Sequence, residues 1–139
     1  MRQATLAIIK PDALHKNIIG QIIRRAEDAD LTVVAMKMAQ LSKKQAQDFY
    51  YIHRDKPFFH HLVEFMTEGP ILFMVLRGED AVARWRRIMG VTDPAEAAQG
   101  SIRKVFGESI KRNAVHGSDS PDAARFEIGY AFGALELVR

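Results

Sequence analysis

Six consecutive apolar residues, Ile71 to Leu76, bounded by Gly69-Pro70 and by Gly78, most constrain what this chain can fold into. The run is far short of the ~20 residues that a membrane-spanning helix needs. Its length, its Ile and Val content and the breakers at both ends fit a buried strand. Ala4–Ile9 is a second short apolar stretch, cut off by Lys10-Pro11-Asp12. That is a strand followed by a breaker.

Helical patterns alternate with these strands. Ile19, Ile22, Ile23 and Ala26 recur at i, i+3, i+4 and i+7, the stripe of an amphipathic helix. Leu31–Leu41 is rich in Val and Met with partial alternation, which predicts a strand. Ser42 then reads as an N-cap before a helix with Ala46, Phe49, Tyr50 and His53 on one face. Lys56-Pro57 ends it, and a short aromatic helix packs Phe59, Leu62, Val63 and Met66. Val82, Trp85 and Met89 mark another helix, closed by Gly90 as a C-terminal cap. Val91–Arg112 is irregular and polar, a length of connection that in compact domains is often functional. A short strand at Asn113–His116 precedes a last helix, capped by Ser120 with Pro121 at its first position. Ala124, Ile128 and Phe132 line that helix's inner face.

Strands interleaved with amphipathic helices predict an α/β sandwich. The pattern leaves strand order open, although the crossover helices imply parallel neighbours linked right-handedly. At 139 residues the chain is expected to form one domain, residues 1–139. It contains no cysteine, which excludes disulfides and thiolate zinc sites and fits a reducing compartment. The first apolar stretch lacks a signal peptide's layout, so no membrane association and a cytoplasmic location are expected. The net charge of +3 suits anionic ligands, nucleotides included. The basic residues do not form one long block, so a polybasic tail is not indicated.

The chain has no G-x-x-x-x-G-K-[ST] loop, so a nucleotide enzyme built from it must hold phosphates with side chains. His60 and His61 are adjacent and diverge by about 100° on a helix. With His53, they read as surface residues. The informative run is Asn113-Ala114-Val115-His116-Gly117-Ser118-Asp119-Ser120. A histidine ends a short apolar segment, a glycine allows close approach, and small polar residues follow. An imidazole with an unperturbed pKa of about 6.5 is a good nucleophile near neutrality. Alone, the run equally fits a turn that caps the last helix, with His116 incidental.

The rest of the chain ends that tie. With Ile8-Ile9-Lys10-Pro11-Asp12, Arg54-Asp55-Lys56-Pro57-Phe58-Phe59, Gly69-Pro70, Thr92-Asp93-Pro94 and Gly100-Ser101-Ile102-Arg103, the sequence resembles the nucleoside diphosphate kinase family. The pieces stand in the family's order and spacing over nearly the whole chain. The resemblance implies a ferredoxin-like βαββαβ sandwich, with a four-stranded antiparallel or mixed sheet covered by helices. It also implies ping-pong transfer of the γ-phosphoryl group from ATP or another triphosphate to a nucleoside diphosphate, in the synthesis of CTP, GTP, UTP and deoxynucleoside triphosphates. Covalent catalysis splits the reaction into two half-reactions, and positioning and electrostatics are the protein's main work.

By motif position the resemblance makes His116 the phosphohistidine. It matches Lys10 to a lysine on sugar hydroxyl and phosphate, Arg86 and Arg103 to phosphate-binding arginines, and Thr92 to a hydroxyl on the β-phosphate. An arginine's fork can donate two hydrogen bonds to phosphate. Only the spacing to Thr92 selects Arg86 over Arg87, and Arg84, Arg86 and Arg87 otherwise read as one wet helix face. Tyr50 matches a tyrosine beside the histidine, though its helical spacing also fits core packing. Phe58 matches the aromatic that stacks on the base, with Ile110 opposite, and Asn113 the residue that binds ribose. Glu127 matches a carboxylate that orients the histidine, supported by Ser118. Mg²⁺ is expected to arrive on the nucleotide phosphates, with no ligand from protein side chains. The resemblance also implies a homo-oligomer in which two-fold dimers stack into a tetramer or a hexamer. An edge strand at Leu31–Leu41, carrying Val33, Val34, Met36 and Met38, would suit a two-fold contact, and the short C-terminus favours the tetramer. Lys104-Val105 where many members have Gly-Asp, Asp93 where Asn is common, and the His60-His61 pair are departures; none removes a residue with an assigned role.

Two rival readings exist. An RNA-binding sandwich needs aromatic and basic residues on exposed strand faces, whereas these strands carry Ile, Leu, Val and Met. A non-catalytic scaffold is opposed by the intact set of Lys10, Tyr50, Arg86, Thr92, Arg103, Asn113 and His116. No specific nucleic-acid partner is therefore expected.

Overall fold

The apolar runs are strands because helices cover them on both sides. The computed structural model describes all 139 residues. In chain order they form β1 (Arg2–Ile9), α1 (Pro11–His15), α2 (Ile19–Asp28), β2 (Thr32–Ala39), α3 (Lys43–Phe49), α4 (Phe59–Met66), β3 (Ile71–Glu79), α5 (Ala81–Met89), α6 (Ile102–Phe106), β4 (Val115–Gly117) and α7 (Pro121–Ala131). Short 3₁₀ turns lie at Tyr51–His53 and Ala134–Glu136. Along β1 and β3, alternate side chains enter opposite cores. Leu6, Ile8, Ile71, Phe73 and Val75 pack beneath α3, α4 and the end of α7. Ala7, Ile9, Leu72, Met74 and Leu76 pack with α1, α2, α5 and α6 on the other face. Each fully buried Leu, Ile or Met contributes roughly 1.5–3 kcal/mol, so two cores share the cost of ordering one sheet.

The strand order is β2-β3-β1-β4, and every neighbouring pair is antiparallel. The expected parallel neighbours are therefore not found. β1 and β2 do run in the same direction across the α2 connection, but β3 lies between them and pairs antiparallel with both. This is the split βαβ arrangement of ferredoxin-like sandwiches. A crossover helix fixes relative direction and leaves adjacency open.

Local expectations held where capping chemistry was explicit. Ser42 accepts a hydrogen bond from the Gln45 N–H, and Gln45 returns one to the Ser42 N–H. Ser120 caps α7 through the Ala123 N–H. Gly90 closes α5 with a φ of 87°. Three details differ. Lys10-Pro11-Asp12 opens the five-residue helix α1 instead of only breaking β1. α3 ends at Phe49, which places His53 in a 3₁₀ turn and not on the helix face of Ala46. The irregular 91–112 segment contains α6, capped by Ser101 through the Lys104 N–H. No helix is long and apolar enough to cross a membrane.

Candidate active site

Nine of the eleven expected site residues line one cleft of about 390 Å³, within the range of small-molecule sites. They come from distant parts of the chain. Lys10 follows β1, Tyr50 ends α3, Phe58 precedes α4, Arg86 lies on α5 and Arg103 on α6. Thr92, Ile110 and Asn113 come from the loops flanking α6, and His116 is the middle residue of β4. The other two, Ser118 and Glu127, stand behind His116.

β4 places His116 by pairing it opposite Ile8 of β1. The Trp85 indole N–H donates to the His116 carbonyl at 3.1 Å and pins that strand from α5. Gly117 makes this possible: a Cβ there would stand 2.6 Å from the Trp85 ring. The close approach that this glycine permits is thus to Trp85. On the imidazole, Nε2 lies 2.7 Å from Glu127 Oε1. Glu127 also accepts from the Ser118 hydroxyl at 3.1 Å, and that hydroxyl accepts from the Leu6 N–H. A carboxylate can only accept, so in the neutral imidazole the proton sits on Nε2 and Nδ1 keeps its lone pair. The Phe49 and Tyr50 rings meet the imidazole edge-on, with centroids 5.6 and 5.9 Å away. Tyr50 is buried, its hydroxyl has no hydrogen-bond partner, and burial followed by the Glu127 charge pushes its phenol pKa up.

Facing the histidine, the cleft concentrates positive charge in poorly solvated positions. Lys10 is buried, and burial followed by the Arg103 charge pushes its pKa down to about 7. Its Nζ donates to Asn113 Oδ1 at 2.8 Å, and the Asn113 amide donates to the Thr92 carbonyl at 3.0 Å. Arg103 donates to the carbonyls of Gly90 and Val115, while its buried Nε–H has no partner. Burial and the nearby Arg86 push its pKa down to about 10, so it stays charged near neutrality. Arg86 is exposed and paired with Asp119 at 2.6 Å. Of the other α5 arginines, Arg84 donates to the Ala29 carbonyl, and Arg87 lines a different surface depression. The helix turn itself selects Arg86 for the cleft. Asp12 and Asp119 only partly offset these charges, and buried cations that repel one another suit an anionic ligand.

The remaining wall is open and mixes apolar with basic side chains. Phe58 and Ile110 line it at 49% and 61% exposure. His53, His61, Leu62 and Lys111 join them. His53 and His61 were expected to be plain surface residues. His61 and Leu62 stand three and four positions after Phe58, on the same helical face, a signal that would have found them. Asp119 was also missed, because only the fold brings it to Arg86.

The fold and cleft define an α/β enzyme built for phosphorylated ligands. The sequence profile described as nucleoside diphosphate kinase matches residues 3–137. A nucleoside diphosphate kinase from Nitrosomonas europaea is 56% identical over 135 residues, 97% of this chain and 96% of that protein. One from Francisella philomiragia subsp. philomiragia is 55% identical, covering 99% of this chain and 98% of that one. Among solved structures, the Aquifex aeolicus nucleoside diphosphate kinase aligns with a TM-score of 0.98 at 45% identity, over 99% of this chain and 100% of its own. A halophilic nucleoside diphosphate kinase from Halobacterium salinarum, solved in complex with CDP, aligns at 0.95 and 39% identity, over 100% of this chain and 93% of its own. The chain belongs to the nucleoside diphosphate kinase family. Its activity is that of a nucleotide-utilising phosphotransferase.

Proposed function

We propose that residues 1–139 act as one catalytic domain in which His116 carries the phosphoryl group between nucleotides. The observation that carries this reading is the Nε2–Glu127 hydrogen bond of 2.7 Å at the wall of a cation-lined cleft. It leaves Nδ1 as the nucleophilic nitrogen. In the first half-reaction the Nδ1 lone pair attacks the γ-phosphorus of a triphosphate. The bond from phosphorus to the bridging oxygen breaks, and a diphosphate leaves with that electron pair. In the second, a β-phosphate oxygen of another diphosphate attacks the phosphorus, and the P–N bond returns its pair to Nδ1. Glu127 stabilises the charge that builds on the imidazole, and Ser118 fixes the carboxylate that does so.

Lys10, Arg86 and Arg103 are the cations that bind the phosphates, with the Thr92 hydroxyl beside them. Asn113, tied to Lys10, is placed for ribose hydroxyls. Phe58 and Ile110 offer apolar faces to a base, and Tyr50 walls the imidazole. Asp119 in the cleft and Glu127 behind His116 are already engaged, with Arg86 and His116 respectively. That donor set suits Mg²⁺ carried on nucleotide phosphates, where the ion would neutralise phosphate charge. The CDP complex of the Halobacterium salinarum relative supports nucleotide binding by this chain.

The reading includes a homo-oligomer, tetramer or hexamer, built from two-fold dimers. β2 is an edge strand whose exposed apolar residues are Met36 and Met38; Val33 is half-buried and Val34 is buried in the core. An open apolar edge of this kind favours pairing with a second copy. Light scattering in dilute buffer tests it, and a mass near 15.7 kDa at full activity would refute it.

Incubation with γ-labelled ATP tests the mechanism. An acid-labile, base-stable phosphate is expected on the protein and absent from His116→Ala, which also loses transfer. Labelling of that variant at the native rate sinks the assignment.

A further inference from the structure

Four residues other than glycine have a positive φ. Asn17, Asp30 and Asp80 are exposed turn residues of the types that tolerate this region. Ala114 is different. Its φ is 76°, it is fully buried, and its methyl side chain offers no local hydrogen bond. It stands between Asn113 and Val115-His116. The Val115 N–H donates to the Asn113 carbonyl at 2.9 Å, closing a γ-turn of the strained, positive-φ kind around Ala114. Such strain persists only where the surroundings over-determine it.

What holds it is the turn after β1. The Ala114 N–H donates to Asp12 Oδ2 at 3.0 Å, and the Ala114 carbonyl accepts from the Lys10 N–H at 2.8 Å. One residue earlier, Lys10 Nζ takes Asn113 Oδ1. Asp12 is itself buried and does not line the cleft. Burial pushes its carboxyl pKa up, and the Ala114 N–H and the Lys10 charge oppose that shift. A buried carboxylate off the cleft wall thus accepts the N–H of one strained peptide.

We propose that Asp12 is a positioning residue for phosphoryl transfer: its carboxylate holds Ala114 in the γ-turn that sets Asn113 and Lys10 against His116. The proposal rests on His116 as phosphoryl carrier. β4 pairing with β1 fixes His116 from one side. The turn at Ala114 fixes the direction from which Asn113 enters. With a relaxed φ at Ala114, Asn113 leaves Lys10, and the phosphate and ribose contacts lose their register with the imidazole.

The test is single-turnover phosphoryl uptake from labelled ATP, with thermal melts alongside. Asp12→Ala should slow uptake by roughly 10–100-fold, the scale of a misplacement of about 1 Å. Asp12→Asn should stay within a few-fold of the native rate, because its amide oxygen can accept the same N–H. Adding Ala114→Gly to Asp12→Ala should restore most of the rate, because glycine holds a positive φ without help. A folded Asp12→Ala at native rate overturns the proposal, as does a double variant no faster than Asp12→Ala. Should Asp12→Ala not fold, the double variant decides alone: folded and active supports the role, unfolded overturns it. His116→Ala separates the two readings, because label on that variant defeats the carrier assignment whatever Asp12 does.

Discussion

The two ends of the cleft are built to different standards. At the end proposed to bind phosphates, Lys10, Arg103 and Asn113 are buried, anchored next to strands or in a capped helix, and tied to named backbone or side-chain partners. At the end proposed to take the base, Phe58 and Ile110 are exposed and lie at a helix start and in a loop. Charge developing on a transferring phosphoryl group needs groups fixed before the reaction, because reorganisation at that moment costs rate. A base needs only a face to stack on, and on the proposed reading a loose slot would supply it for purines and pyrimidines alike. On the proposed reading, precision is concentrated where the bonds change.

The largest effect that this contrast implies falls on Arg103. Arg103→Ala should lower kcat by on the order of 10²–10³, the scale of removing one preorganised donor. Arg86→Ala should cost less, because Arg86 is exposed and shares its charge with Asp119. Steady-state kinetics at saturating nucleotide checks both. A larger loss for Arg86 would reverse the ranking and undo the claim that burial marks the more demanding position.

The same contrast explains what was legible in the sequence. β1, β3 and α5 could be read because their signals are local: apolar runs with breakers, and Val82, Trp85 and Met89 at helical spacing before Gly90. The resemblance singled out nine residues that the structure brings to one cleft, since motif order carries information that spacing alone lacks. Strand adjacency was not readable, because pairing β3 between β1 and β2 is a long-range choice that no local window encodes. α6 was hidden because a five-residue helix has too few turns to show a period. Asp119 meeting Arg86, and Asp12 meeting Ala114 across 102 residues, exist only in three dimensions.

A smaller effect belongs to the base end. Phe58→Ala should raise the KM for each nucleotide roughly ten-fold, within the range for losing one aromatic–base stack. Since the slot offers faces, purine and pyrimidine diphosphates should suffer by similar factors with kcat nearly unchanged. If one base class alone were affected, His53, His61 or Lys111 would be reading base edges and the tolerant slot would be the wrong description.

The smallest effect concerns protons. Lys10, with a pKa near 7 in the free enzyme, is mostly neutral at pH 8. A phosphate at hydrogen-bond distance favours its charged form, so its pKa in the complex is higher. When the bound pKa exceeds the free one, binding takes up a proton, and affinity falls as pH rises between the two values. If the charged form alone binds well, moving from pH 7 to pH 8 weakens nucleotide binding about five-fold, from the ratio of protonated fractions at a pKa near 7. Calorimetric titration with a nucleoside diphosphate at pH 8, in two buffers of different ionisation enthalpy, should report an uptake approaching one proton. Phosphate oxygens are already ionised there and contribute little to that uptake. Lys10→Gln should abolish it, even though the variant still binds through Arg86 and Arg103. If uptake is absent at pH 8, or survives Lys10→Gln, Lys10 is not the proton acceptor. The phosphate end would then have gained its charge before the ligand arrived.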